Sequence, residues 1–154
     1  SRLFESLREK KGLCYDVASS YKRHSDVGEI HIHAGVDNKN TFASIKEIVS
    51  ELKKIKEKGI TADELKRAKE YAKGQFLLAL EGTSTRMIWL GDRIVVHNEF
   101  PEQKDIIKKV NLVTIEDVNQ VVKKVFDKKH LNLAVIGKVD LKTQKEIKRV
   151  LSGL

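Results

Sequence analysis

The stretch Ser1–Tyr21, SRLFESLREKKGLCYDVASSY, decides the fold of this chain, because a helix pattern gives way to a strand pattern within it. Apolar side chains at helical spacing predict a short helix, with Gly12 placed to end it; they are Leu3, Phe4 and Leu7. A strand is predicted to follow from about Leu13 to Lys22, with the odd-numbered side chains on one face. The junction between helix and strand therefore falls close to Gly12.

A second strand is predicted from about Gly28 to Val36, where apolar residues alternate with Glu29, His31 and His33. The turn signals Ser25, Asp26 and Gly28 separate it from the first strand. Two strands joined by so short a turn are expected to pair as an antiparallel hairpin.

Helices dominate the rest of the chain. Capping boxes are predicted where Thr61 precedes Glu64 and where Thr114 precedes Asp117. The predicted elements are helices over about 42–55, 61–80, 85–97, 103–110 and 114–126, a short apolar strand over 131–136, and a last helix over 141–151.

These elements predict an α+β fold in which a small antiparallel sheet packs against several helices, as a single domain over residues 1–154. A sheet of three strands is narrow for so many helices, and its open edges are a liability. We therefore expect an incomplete fold. Its sheet would be completed by a further segment or by a second copy of the chain, which would make a homo-oligomer.

Composition narrows the class of protein. The chain has 40% hydrophobic residues and no apolar run near the roughly 20 residues of a membrane helix, so no membrane partner is expected. Its net charge of +8 raises the question of nucleic acid. The lysines alternate with glutamates on helix faces, as in ELKKIKEKG, which is typical of a solvated surface. We expect no nucleic-acid partner, and the single cysteine, Cys14, predicts a cytoplasmic location.

The whole pattern resembles the later part of the C-terminal half of insulinase/pitrilysin family zinc metallopeptidases, especially the bacterial processing proteases. The segments that carry the resemblance are SRLFESLREKKGLCY, DVGEIHIHAGVDNKN, KGITADELKRAKEYAKGQFLLALEGTSTRM, VTIEDVNQVVKKVF and LNLAVIGKV. Their order and spacing match over nearly the whole chain. The resemblance implies one part of a clamp built from two similar halves, which close around a chamber where peptides are hydrolysed.

The resemblance also implies a division of labour between the halves. In the family, the first half carries HxxEH, which holds zinc and the general base. This sequence contains neither HxxEH nor HExxH, and it lacks the strand and helix that precede SRLF in the family. We therefore expect zinc in the complete enzyme but no metal bound by this chain, and no hydrolysis by the chain alone. The expected partners are a metal-bearing N-terminal half or partner subunit and a peptide substrate.

Arg8 and Tyr15 match the arginine and tyrosine that the family's second half contributes to the active site. The resemblance implies that both bind substrate and that Tyr15 is also catalytic. A phenol O–H can donate to the oxyanion of a tetrahedral intermediate, and a guanidinium offers a rigid fork of donors to substrate carbonyls.

Other interpretations remain open at this stage. His31 and His33 share a strand face at a spacing that a metal pair can use, with His24, Asp26 or Glu29 as a third ligand. A polar strand face that happens to contain two histidines explains the pair more simply. The alternative functions are a non-catalytic structural or interaction subunit on the same fold, and a basic nucleic-acid-binding module.

Overall fold

An antiparallel hairpin forms the sheet, in agreement with the sequence pattern. The computed structural model describes residues 1–24 and 26–154, so the predicted turn residue Ser25 lies outside the described residues. Strand β1, Cys14–Arg23, pairs with β2, Gly28–Val36, from Cys14 opposite Val36 to Arg23 opposite Gly28. A break in this register lies between Cys14 and Asp16.

The described residues form two compact units, residues 1–59 with 120–154, and residues 60–119. The prediction of a single domain over the whole chain stays a prediction. The first unit contains a π-helical segment, Phe4–Lys10, the hairpin, a 3₁₀ turn, Asn38–Asn40, and two helices, α1, Thr41–Lys58, and α6, Leu141–Leu151. The second unit contains the helices α2, Ala62–Ala79, α3, Thr83–His97, and α4, Gln103–Leu112. Helix α5, Ile115–Val125, begins in the second unit and ends in the first.

The core of the first unit lies where the π-helical segment meets the hairpin. Leu7 has no exposed surface, and Cys14 and Val17 are each 8% exposed. The side chains packed against these three are Leu3, Phe4, Ala34, Val36 and Ile48. The stretch that was predicted to decide the fold therefore supplies most of this core.

Helix α1 forms a second layer in the first unit. Ile45, Val49 and Leu52 recur at helical spacing and are buried, as the sequence pattern predicts. The helix ends at Gly59, whose φ of 68° is in the left-handed region that favours glycine. Helix α6 packs against α1 and buries Ile147, and Asp140 caps α6 by accepting a hydrogen bond from the Thr143 amide at 2.7 Å.

A local signal accounts for the start of α2 in the second unit. The Thr61 hydroxyl accepts from the Glu64 amide at 3.2 Å, and the Glu64 carboxylate accepts from the Thr61 amide at 2.8 Å, which confirms the capping box. Phe76 and Trp89 make an edge-to-face contact with ring centroids 5.5 Å apart. Lys69 of α2 donates to the Asn111 carbonyl of α4 at 2.7 Å.

The predicted strand over residues 131–136 is wrong. The sheet in the described part of the chain contains only β1 and β2, and residues 131–136 are irregular. A strand requires a hydrogen-bonded neighbour, and neither hairpin edge pairs with this run. Its apolar side chains stay accessible, with Leu133 45% and Ile136 fully exposed. The α+β class is confirmed, with a sheet of two strands instead of three.

Candidate functional site

A β-bulge at the start of β1 sets the position of Tyr15. Cys14 pairs with Val36 and Asp16 pairs with Gly35, so Tyr15 has no partner across the hairpin. The predicted alternation is therefore wrong here, since Cys14 and Val17 are buried while Tyr15 is 72% exposed. A bulge inserts one extra residue and turns a side chain away from the regular pleat, which is why bulges are frequent beside active sites. The phenol is directed to solvent instead of the core.

Arg8 lies near the end of the π-helical segment and is exposed. Its guanidinium carbon is 5.1 Å from the centre of the Phe4 ring, a cation–π contact that restrains the side chain. Phe4 belongs to the packed shell of the core. Arg8 therefore combines an accessible charge with a restrained position.

The junction brings Arg8 close to the start of β1. The Gly12 amide donates to the Arg8 carbonyl at 3.2 Å, and the Leu13 amide donates to the Leu7 carbonyl at 2.8 Å. Gly12 has a φ of 58°, a left-handed conformation that a side chain would strain. Burial raises the pKa of the Cys14 thiol, and the Arg8 charge opposes this rise. The charge of Arg8 thus acts on the residue next to Tyr15.

A partly buried polar cluster ties the π-helical segment, and Lys11 directly after it, to α1. The Glu47 carboxylate, on α1, accepts hydrogen bonds from the Ser6 hydroxyl and the Lys11 ammonium. Ser6 and Glu47 are each 8% exposed. Burial raises the pKa of Glu47, but the hydrogen bonds from Lys11 and Ser6 outweigh this effect, so the pKa lies below its ordinary value. Glu47 is therefore an ionised and fully paired carboxylate at neutral pH.

Ser6, Lys11 and Glu47 form this cluster, which we call the Glu47 cluster, and the sequence pattern was not interpreted as predicting it. A signal was present, because Ser44, Glu47 and Glu51 recur at helical spacing beside the apolar residues Ile48 and Leu52. Two acids on the inner side of an amphipathic helix indicate buried ion pairs.

The histidine pair of β2 does not assemble a metal site in the described residues. His31 lies opposite Ser20 and His33 opposite Ala18, and the His33 Nδ1 atom is 3.7 Å from an Asp16 carboxylate oxygen. Within residues 1–24 and 26–154, no group of three or more His, Cys, Asp or Glu side chains is placed to hold a metal ion. The described residues thus do not fit a resident zinc ion.

The family model described as the peptidase M16 inactive domain matches residues 1–71. The matched region includes the junction, the hairpin, α1 and the Glu47 cluster.

Similarity to curated relatives extends over a longer stretch of the chain. The "uncharacterized zinc protease YmxG" of Bacillus subtilis is 35% identical over 127 residues, which cover 82% of this chain and 31% of the relative. An "uncharacterized zinc protease" of Streptomyces coelicolor is 33% identical over 137 residues, 89% of this chain and 30% of the relative. The chain thus spans about a third of the length of these relatives. The family-model match and these relatives together show that the chain belongs to the insulinase/pitrilysin family of peptidases, as part of its C-terminal inactive domain.

Solved structures show the same fold. A protease from Helicobacter pylori aligns with a TM-score of 0.69 and 28% identity, over 82% of this chain and 31% of that one. A conserved protein from Enterococcus faecalis aligns with a TM-score of 0.66 and 26% identity, over 80% of this chain and 29% of that one. No helix in the described part of this chain is both long and apolar enough to cross a membrane.

Proposed function

We propose that this chain is the substrate-binding part of the C-terminal half of a zinc metalloendopeptidase, which hydrolyses peptides inside a closed chamber. The observation that carries the proposal is the placement of Tyr15 at a β-bulge, 72% exposed, beside a junction that also presents Arg8. Both residues lie in the region that matches the family model. The chain is inactive until it meets a metal-bearing N-terminal half or partner subunit.

The two exposed side chains have separate roles in this proposal. The Tyr15 hydroxyl donates to the oxyanion that develops when the peptide carbonyl is attacked. The Arg8 guanidinium donates to carbonyls of the substrate backbone and fixes its register. The other half would hold the zinc ion, which would supply an activated water; this agrees with the relatives named as zinc proteases.

The proposed setting of the protein follows from composition and burial. Cys14 is a free and buried thiol, which suits the reducing cytoplasm. Lysine and glutamate form short-range ion pairs on helix surfaces, such as Lys73 with Glu70 at 2.7 Å, which favours a solvated surface over a nucleic-acid interface. A second copy of this chain, pairing with an open edge of the hairpin, would form a homo-oligomer in addition to the contact with the metal-bearing half.

The test is Tyr15→Phe in the complete protein that contains this chain, with a quenched peptide as substrate. Loss of one oxyanion donor should lower kcat by roughly 10²–10³ with little change in KM. Tyr21→Phe is the matched control, because Tyr21 lies on the same strand, is 81% exposed and is paired normally with Ile30. Equal kcat values for the two variants would remove Tyr15 from the mechanism.

The competing hypothesis is that the chain is a non-catalytic structural subunit on the same fold, and the same experiment tests it. If the zinc-loaded complete protein cleaves no peptide and neither Tyr15→Phe nor Arg8→Ala alters any measured property, the chain serves assembly instead of catalysis. Nucleic-acid binding would appear as an affinity for DNA or RNA that falls steeply with salt.

A further inference from the structure

We propose that Glu47 is a positioning residue that holds Arg8 in place for substrate binding. The inference rests on the proposed function of Arg8, and it adds a residue that never touches substrate. It starts from the two hydrogen bonds that Glu47 accepts, one from Ser6 in the π-helical segment and one from Lys11, which directly follows the segment.

The two contacts of Glu47 lie on either side of Arg8. One carboxylate oxygen accepts from Ser6, two residues before Arg8, and the other accepts from Lys11, three residues after it. The Glu47 carboxylate thus fixes both ends of the short stretch that carries the guanidinium. A contact at one end alone would let this stretch pivot about that point.

Helix α1 and its N-cap residue also contact Leu13, the residue directly before β1. The Leu13 carbonyl accepts from the Asn40 side-chain amide at 3.4 Å and from the Ser44 hydroxyl at 3.5 Å. Ser44 is 2% exposed and lies three residues before Glu47, on the same face of α1. One turn of α1, from Ser44 to Glu47, therefore contacts both the stretch that carries Arg8 and Leu13, which lies two residues before Tyr15.

Hydrophobic packing alone would not require a carboxylate at this position. Burying a charge is costly unless it is paired and hydrogen-bonded, and an apolar side chain of similar size would fill the same space. Both oxygens of Glu47 accept directional hydrogen bonds, from Ser6 and from Lys11. Directional bonds specify position more narrowly than apolar contact does, which suits a substrate-binding arginine nearby.

The first experiment is a double-mutant cycle in the complete protein, using Glu47→Gln and Arg8→Ala with peptide hydrolysis as the readout. Glu47→Gln retains the size of the side chain and removes the charge that pairs with Lys11. We expect KM to rise in the same sense as for Arg8→Ala, with kcat/KM lower by roughly 10- to 100-fold. Ile147→Val controls for a general loss of stability, because Ile147 is a buried core residue on α6, outside the stretch from Ser6 to Lys11 that carries Arg8.

The cycle separates positioning from a merely structural role. If Glu47 acts through Arg8, the double variant should have a kcat/KM within about twofold of Arg8→Ala alone. Losses that multiply would overturn the inference while leaving the role of Arg8 intact. An Arg8→Ala variant with unchanged KM would overturn the proposed role of Arg8 and, with it, the reason for positioning.

Amide hydrogen exchange gives a readout that does not depend on activity. The Gly12 and Leu13 amides close the junction through hydrogen bonds to Arg8 and Leu7. Both should exchange faster in Glu47→Gln than in the wild type, while the β1 amides beyond Val17 keep their protection. Unchanged exchange at Gly12 and Leu13 would show that Glu47 does not hold this segment, and would overturn the inference.

Discussion

Both units of this chain contain amphipathic helices, but the apolar sides of these helices are buried to different degrees. In the first unit, side chains of the π-helical segment, β1, α1, α5 and α6 are buried, among them Leu7 and Val49. In the described part of the second unit, Leu80 is the buried side chain, and large apolar residues such as Met87 and Val95 are 68% and 84% exposed. Helical spacing predicts which side of a helix is apolar, but burial depends on whether another element covers that side.

The difference also separates two ways of stabilising a helix. The second unit combines local devices, such as the capping box at Thr61, with exposed contacts between helices, such as the hydrogen bond from Lys69 to the Asn111 carbonyl. The first unit has long-range polar contacts that are more deeply buried, such as the Glu47 cluster, which joins residues more than 35 positions apart. The candidate site lies in the first unit, where long-range contacts restrain it.

The largest expected effect tests this contrast directly. Leu7→Ala should lower the free energy of unfolding by about 2–5 kcal/mol, because it removes a fully buried side chain and leaves a cavity. Met87→Ala, at an exposed position of the second unit, should change it by about 0.5 kcal/mol or less. Denaturant unfolding of both variants measures the difference, and similar losses would mean that the second unit is covered in the complete protein.

The next effect concerns pH. Glu47 has a lowered pKa in the folded state, because hydrogen bonds from Lys11 and Ser6 outweigh the effect of burial, and Lys54 adds a favourable charge. Its contribution is therefore fully present above the unfolded pKa of about 4.3, and it is lost as the pH falls through the lower folded pKa.

Glu47→Gln should cost about 1–3 kcal/mol at neutral pH, since it weakens hydrogen bonds to a charged acceptor. The variant should also lose less stability than the wild type as the pH falls from 5 toward 3. Asp117 and Asp140, whose pKa values are lowered by hydrogen bonds at helix N-termini, give the acid dependence that both proteins share. Parallel stability curves for the two proteins would contradict the assignment of Glu47 as an ionised, paired group.

A smaller effect is expected for the local devices of the second unit. Thr61→Ala removes the hydroxyl that accepts from the Glu64 amide, and should cost about 0.5–2 kcal/mol. Thr61→Ser keeps the cap and should stay close to the wild type. Thermal unfolding distinguishes the two, and a Thr61→Ala variant as stable as the wild type would show that α2 does not depend on its cap.

The smallest effect is expected at exposed ion pairs. Lys73 and Glu70 are 2.7 Å apart at i and i+3 of α2, and Glu70 is exposed. Glu70→Gln should change the free energy of unfolding by about 0.5 kcal/mol or less, with the difference disappearing in high salt. A larger loss would indicate that this surface is covered in the complete protein.

Much of the local structure could be predicted from residue order. The hairpin, the helix ends at Gly12 and Gly59, and the capping boxes at Thr61 and Thr114 all follow from short-range rules that a few residues satisfy. The predicted strand over 131–136 failed, because an apolar run becomes a strand only where another strand offers its edge.

The candidate site divides in the same way. The sequence alone determined that Arg8 and Tyr15 flank a helix-to-strand junction, because the spacing of apolar residues predicts both elements and Gly12 marks the end of the helix. Only the tertiary structure decided that Tyr15 leaves the pleat at a bulge and that Glu47 binds Ser6 and Lys11. Register and burial depend on which distant residues meet, and no short stretch of sequence contains that information.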